Sequence, residues 1–365
     1  MTEKEIWDKA YKKIFELYGD MPDLRIVSRF YGEKQAFMQY EIGKYFYDLA
    51  KLRREAEGAG EQLIVKAPVA SCFVAYLLGA TDENPLQAHY YCPKCKTVLW
   101  MEGRCVFDLR DRFCSCGEKM KPEGFDIPFE TYLSYAKKLK VGDITDESYL
   151  ELSEATFSHY QKSLLDTTNI CKRLEKVTGI GMDDIDMNDR EVKCRLLIGN
   201  FEKLAGVGGE KAIKQMITLT HPVTYNELLK LIGLAHGTCT WRNNAEHLLA
   251  DGICSLADIP ATRDEVFMII RDAMYDCDLH DAGFAFDVAN KARRGYYRKH
   301  GMDDYTNGTL SMLGFDDWFS SYIRATQYMS TKALAVLELK YSIIFNWYQV
   351  YYPSEYQQIM ADYST

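Results

Sequence analysis

The sequence predicts an α+β protein that is mostly helical, with a small α/β part first, a cysteine-bearing module inserted in it, and a helical domain after it. Three observations carry this. Apolar residues recur at helical spacing behind recognisable N-caps. Residues 84–124 break that pattern with Pro, Gly and five cysteines. From about residue 145 onward nearly every stretch again reads as helix. The expected divisions are a helical N-terminal segment over 1–83, the cysteine module over 84–124, the rest of the first part and a linker over 125–180, and a helical domain over 181–365.

Thr2 and Glu5 have capping-box spacing ahead of one apolar face made of Ile6, Trp7, Ala10, Tyr11, Ile14, Leu17 and Tyr18. Gly19 and Pro22 then end that helix. A second helical stretch runs from about Val27 to Glu55 and leads to Gly58, Gly60 and a short apolar run, Leu63 to Val65. In the later domain Thr224 with Glu227, and Thr262 with Glu265, are two more capping boxes. The last long helix runs from near Thr331 to about Tyr351 and stops at Pro353.

Hydrophobic residues make up 47% and charged residues 27%, a globular balance rather than a disordered one. The formal charge of −9 makes the molecule as a whole repel a phosphate backbone, so nucleic acid would need a local basic patch. The first segment carries Glu3, Lys4, Glu5 and Asp8 instead of an apolar run, so no signal peptide is expected. The apolar stretch around Ile343 to Val350 is too short to span a bilayer, so no membrane partner is expected. Eleven cysteines without a secretory signal read as thiols and metal ligands of a cytoplasmic protein.

Cys92-Pro-Lys-Cys95 is followed, after 18 intervening residues, by Cys114-Ser-Cys116-Gly117. Two close cysteine pairs at this separation are the pattern of a four-cysteine zinc ribbon, in which Cys92, Cys95, Cys114 and Cys116 converge on one Zn²⁺. The second pair is Cys-x-Cys where the usual knuckle is Cys-x-x-Cys, and Cys105, between the pairs, is an alternative ligand. Four thiolates leave no open coordination position, so the zinc is expected to be structural. Cys171, Cys194 and Cys277 have no paired spacing and read as small core residues.

Asn84-Pro-Leu-Gln-Ala-His89-Tyr-Tyr-Cys92-Pro-Lys-Cys95, followed by Phe125-Asp126-Ile127-Pro128-Phe129-Glu130-Thr131, resembles the segment leading into the palm of the PolC-type, C-family replicative polymerases of bacteria. A second block resembles that family's fingers: Leu234-Ala-His236-Gly237-Thr238, Trp241, Asn244-Ala245, Asp251-Gly252 and Arg263-Asp264. Tyr328-Met-Ser-Thr-Lys332-Ala333 and Tyr351-Tyr-Pro353 keep the family's spacing around its last fingers helix. Val69-Ala-Ser71-Cys72-Phe73-Val74-Ala75 is similar to the palm's glycine-rich turn. The resemblance implies a reduced palm remnant, with the zinc ribbon inserted, followed by a helical fingers-like domain.

Polymerisation needs acidic residues holding two Mg²⁺ ions. The family supplies these as Asp-x-Asp on one strand and a third Asp on a neighbouring one. The resemblance places Asp143 on the first of the pair and Thr145 on the second, and a neutral hydroxyl cannot replace a bridging carboxylate. Asp146 would aim to the opposite face of such a strand. Asp166 corresponds in order to the third acid. Only about twenty residues separate it from Asp143, where the family has a large piece of palm. The phosphate cradle corresponds to Ile64-Val-Lys66-Ala-Pro68-Val-Ala70, with no glycine and with Pro68 lacking an N–H. Lys66 keeps one positive charge there. Lys332 matches a basic fingers residue, while Leu334 replaces a family histidine. The exonuclease, its surrounding phosphoesterase-like domain, the duplex-binding segment and the clamp-binding motif are expected to be absent.

His236 and Thr238 are candidate nucleotide or template contacts, the alternative being that they order the loop near Gly233 and Gly237. The most basic stretch, with Lys291, Arg293, Arg294 and Arg298 among aromatics, suits single-strand binding, the alternative being solvated helix-end charge. The expected function is that of a catalytically inactive regulatory, decoy or accessory factor in replication, with replication proteins or DNA as partners and no Mg²⁺ site. Two other readings stand beside it: a DNA-binding module that keeps fingers-type template contacts, and an active nucleotidyltransferase with a rearranged metal site.

Overall fold

The capping box at Thr2 and Glu5 forms as its spacing predicts, and the helix it opens, α1 (Glu3–Tyr18), buries Ile6, Trp7, Ala10, Ile14 and Tyr18. The computed structural model of the chain describes residues 1–37, 42–58, 67–129, 162–204, 210–279 and 282–363. They belong to two compact units, Met1–Tyr160 and Gln161–Thr365. The expected divisions at 83 and 124 fall inside the first unit and that at 180 inside the second.

In the first unit the helical stretch expected from Val27 to Glu55 is two helices, α2 (Leu24–Phe37) and α3 (Ile42–Gly58). The apolar run Leu63 to Val65 lies outside the described residues. Two short helices follow, α4 (Ala67–Ala70) and α5 (Phe73–Leu78), the latter closed by Gly79 in the left-handed region at φ 81°. Trp7, Phe30, Phe37, Phe46 and Phe73 centre the core between these helices. Glu33 is fully buried inside it, and its carboxylate accepts the Phe73 and Val74 N–H groups at 2.9 Å each and Arg29 Nε at 2.6 Å. Burial raises the Glu33 pKa, while Arg29 opposes the rise.

The cysteine module carries a three-stranded antiparallel sheet in the order β2-β1-β3, where β1 is His89–Tyr91, β2 is Val98–Trp100 and β3 is Lys121–Glu123. His89 stands opposite both Trp100 and Glu123. The central strand is buried on both faces because alternate side chains enter different cores. Tyr91 joins the helical core, whereas Tyr90 and Cys92 join a small cluster with Leu109, Cys114 and Met120.

The second unit is helical throughout its described residues. Its helices are α6 (Lys162–Thr178), α7 (Arg190–Leu197), α8 (Glu210–Thr220), α9 (Tyr225–His236), α10 (Glu246–Ala250), α11 (Arg263–Asp276), α12 (Gly283–Arg293), α13 (Tyr296–His300), α14 (Asp304–Met312), α15 (Asp317–Ala325), α16 (Lys332–Tyr351) and α17 (Pro353–Tyr363). Both predicted capping boxes form, at Thr224 for α9 and Thr262 for α11. Helix α16 is buried almost all round, with α6, α7, α9, α11 and α17 packed on it, as an apolar helix through the middle of a domain must be. Pro353 ends α16 as expected and also opens α17, where its missing N–H costs nothing. Cys171 is a buried core residue, but Cys194 and Cys277 are exposed, contrary to the core reading of those two. Among the described residues no helix is long and apolar enough to cross a membrane.

Candidate functional site

Cys92 follows directly on the central strand, and the chain then turns sharply. Cys92 N donates to Thr97 O at 2.9 Å, Lys96 N donates to Cys92 O at 3.0 Å, and Lys96 takes a left-handed φ of 64°. The second pair turns just as tightly, because Gly117 at φ 85° donates its N–H to Cys114 O at 2.9 Å. That glycine is why a Cys-x-Cys spacing serves here. The four sulfurs of Cys92, Cys95, Cys114 and Cys116 lie within 4.8 Å of one another. Two close approaches run between the two turns, 3.5 Å for Cys92–Cys116 and 3.3 Å for Cys95–Cys114. A tetrahedron with metal–sulfur bonds of about 2.3 Å has edges of about 3.8 Å, so the donor set fits such a centre. Cys105 stands apart, its thiol 3.5 Å from the Asp108 carboxylate. The hydrogen bond between Cys95 and Thr97 holds the Cys95 thiol below the usual value, at about 6.

The centre is braced against α1. Lys96 Nζ donates to Glu16 O at 2.5 Å, a cation on the carbonyl end of a helix. Gly19 (φ 82°) lets the Lys96 stem approach, since a Cβ at Gly19 would lie 2.8 Å from Lys96 Cβ and Cγ. Behind the knuckle, Glu123 accepts from Asn84 Nδ2 at 2.6 Å, Tyr76 OH at 2.8 Å and Tyr18 OH at 3.4 Å. His89 joins this network through Tyr18 OH at 3.1 Å and Gln87 O at 2.7 Å, and burial lowers its pKa to about 4.

In the second unit, the candidates at 236–238, 291–298 and 332 meet around one segment, Ala325–Lys332. Thr238 N donates to Tyr328 O at 2.9 Å, and Thr238 O accepts from Gln327 N at 2.9 Å. From the other side Met329 N donates to Arg293 O at 3.2 Å, and Arg298 donates to Ala325 O at 2.5 Å. Gly295 (φ 62°) permits this approach, because a Cβ there would lie 2.3 Å from Gln327 O. Lys332 is buried, and its N–H donates to the buried Asp264 carboxylate at 2.5 Å. Arg263 donates its N–H to Ser330 O at 3.1 Å, and burial lowers its pKa to about 10, against Asp264 and aided by Arg293 and Arg294. Arg263 and Asp264 were legible only as part of the family-like block, not as a charged centre.

His236 ends α9 with its ring turned inward, Nε2 lying 2.5 Å from an oxygen of the fully buried Glu338 on α16. The two groups approach closely without hydrogen-bond alignment. Burial raises the Glu338 pKa, and His236 opposes the rise. Lys291 pairs with Asp287 at 2.6 Å and lies 5.6 Å from the centre of the exposed Tyr296 ring, while Arg294, Arg298 and Lys299 are exposed. Lys66, Asp143 and Thr145 lie outside the described residues. The backbone at Asp166 is helical, within α6, rather than the strand of a palm carboxylate; its side chain lies outside the described residues.

A four-cysteine ribbon braced on a helical unit, joined to a second helical unit, is the class of protein these parts define. No family model matches the chain. It is 24% identical over 480 aligned positions to the PolC-type DNA polymerase III of Caldanaerobacter subterraneus subsp. tengcongensis, covering 97% of this chain and 34% of that protein. The PolC-type DNA polymerase III of Streptococcus thermophilus is 23% identical, with 97% and 32% covered, and that of Streptococcus mutans 22% identical, with 97% and 33% covered. The chain is a PolC-like relative that spans about a third of the length of these curated relatives. The first alignment is longer than this chain, so over a hundred of its positions are filled by the relative alone.

Proposed function

We propose that this chain is a non-catalytic relative of PolC, acting in replication as a regulatory, decoy or accessory factor through replication proteins or DNA. The observation that carries this reading is the residue set Asp143, Thr145 and Asp166. Two-metal phosphoryl transfer needs carboxylates converging from adjacent strands. Here the second position is a threonine and the third sits on a helix. The many aligned positions missing from this chain support the loss of palm structure. Cys92, Cys95, Cys114 and Cys116 hold a structural Zn²⁺, whose full thiolate shell leaves no place for substrate. The test is extension of a primed template with dNTPs and Mg²⁺ or Mn²⁺. No extension is expected, and Asp143→Ala is expected to leave the biological activity intact. Template-dependent extension abolished by Asp143→Ala overturns this reading and favours the nucleotidyltransferase with a rearranged metal site.

The meeting of the basic stretch and the His236–Thr238 loop at 325–332 favours a second reading, a DNA-binding module with fingers-type contacts. Arg294 and Lys299 then supply its phosphate contacts. The double variant Arg294→Ala, Lys299→Ala is expected to lower the log–log salt slope for single-stranded DNA by roughly 1 to 1.5. An unchanged slope removes this surface from the binding site.

A further inference from the structure

We propose that the four-cysteine centre is also an oxidation site, at which a hydroperoxide links Cys95 to Cys114 and so releases the metal. The inference rests on the metal reading above. Its first support is the pairing of the sulfurs. Cys95 Sγ lies 3.3 Å from Cys114 Sγ, and Cys92 Sγ lies 3.5 Å from Cys116 Sγ, so each of these two close pairs joins one turn to the other. Its second support is access. Cys92 and Cys114 are buried, whereas Cys95 and Cys116 are exposed, and of these two it is Cys95 that lines a cleft. Cys95 opens on a cleft of about 490 Å³ between the knuckle and the end of α1, lined also by Phe15, Gly19, Met21 and Thr97. A small peroxide reaches that sulfur directly. Cys105 is buried away from the cluster beside Asp108 and takes no part.

The electrons balance with a hydroperoxide as the oxidant. The Cys95 thiolate attacks one peroxide oxygen, the O–O bond breaks, and a sulfenic acid and a hydroxide form. The Cys114 thiolate then attacks the Cys95 sulfur, forming the S–S bond and expelling a second hydroxide. Each pair so oxidised gives up two electrons and removes two of four donors from the centre. The same change loosens the turn from which Lys96 reaches the last carbonyls of α1. Oxidation thereby acts on the first unit as a whole, not on the ribbon alone.

The experiment uses the full chain, freed of reductant under inert gas, with zinc measured by elemental analysis before hydrogen peroxide is added. Zinc release is followed with a chromogenic chelator, and cross-linked peptides are mapped without reduction. One equivalent of zinc is expected to leave as the Cys95–Cys114 peptide appears, in Cys105→Ser as in the wild type. Dithiothreitol with added zinc is expected to restore the starting protein. Zinc retained under a large excess of peroxide, or a first link within one turn (Cys92–Cys95 or Cys114–Cys116), overturns the inference and leaves the metal reading standing. Protein that holds no zinc before peroxide is added overturns the metal reading, and the inference with it.

Discussion

In the first unit the fully buried Glu33 and the half-buried Glu123 each gather several donors, whereas in the second unit Glu338 has, among the described residues, only the approach of His236. Asp264, also fully buried, leaves its Oδ1 without a hydrogen-bond partner among the described residues. The difference follows from where each carboxylate sits. Glu33 faces the open N–H groups at the start of α5, and Glu123 lies on a strand edge among two tyrosines and an asparagine. Glu338 projects from the middle of a helix whose own backbone groups are already bonded, so only side chains from neighbouring helices can answer it. Saturated polar burial makes the first unit a brace for the cysteine turns. Under-satisfied polar burial leaves the second unit with costly groups close to the segment where its candidate residues meet.

The strongest way to break that comparison is to remove the zinc proposed for the four cysteines. Structural zinc contributes about 10–16 kcal/mol of apparent binding free energy in small thiolate sites. Cys92→Ser, or chelation, is therefore expected to abolish hydrogen-exchange protection over 84–124 while protection of α9, α11 and α16 is kept. Equal loss in both units would show that the second also depends on the centre. The next largest effect is expected at His236. His236→Ala strands a buried carboxylate, which costs about 3 kcal/mol in comparable pairs. Because burial raises the Glu338 pKa, the neutral acid is favoured in the folded protein, and this favourable contribution is present at low pH and lost as pH rises through the folded pKa. The deficit of His236→Ala should therefore shrink on acidification, as read by urea denaturation at several pH values. A deficit independent of pH would show that His236 acts by packing alone. The smallest effect sharpens the comparison from the side of helix ends. Thr262→Ala removes the side-chain acceptor for Glu265 N and is expected to cost about 1 kcal/mol, in the second unit only.

The helix starts were the most legible part of this fold. All three predicted capping boxes formed, because a Ser or Thr three residues before a Glu acts within a single turn and needs no tertiary partner. The cysteine turns were legible for the same reason, since each ligand pair is local and the glycine after the second supplies its left-handed residue. The lone cysteines were not. Burial of Cys171 against exposure of Cys194 and Cys277 depends on which helix faces pack, and a small apolar side chain leaves no trace of that in the sequence.

By itself the sequence determined the local matters: where helices begin and which four thiols can share a metal. These depend on residues a few positions apart, where chain geometry alone sets the outcome. Only the tertiary structure decided that Cys105 stands outside the cluster, that His236 turns inward to Glu338, and that Arg294 and Lys299 stay exposed. It also decided that the loop at 236–238 and the basic stretch at 291–298 meet on one segment. These turn on which residues packing brings together or leaves at the surface. The energy of such a pair is set by the local dielectric and by the partners present, and neither is written in the order of the chain.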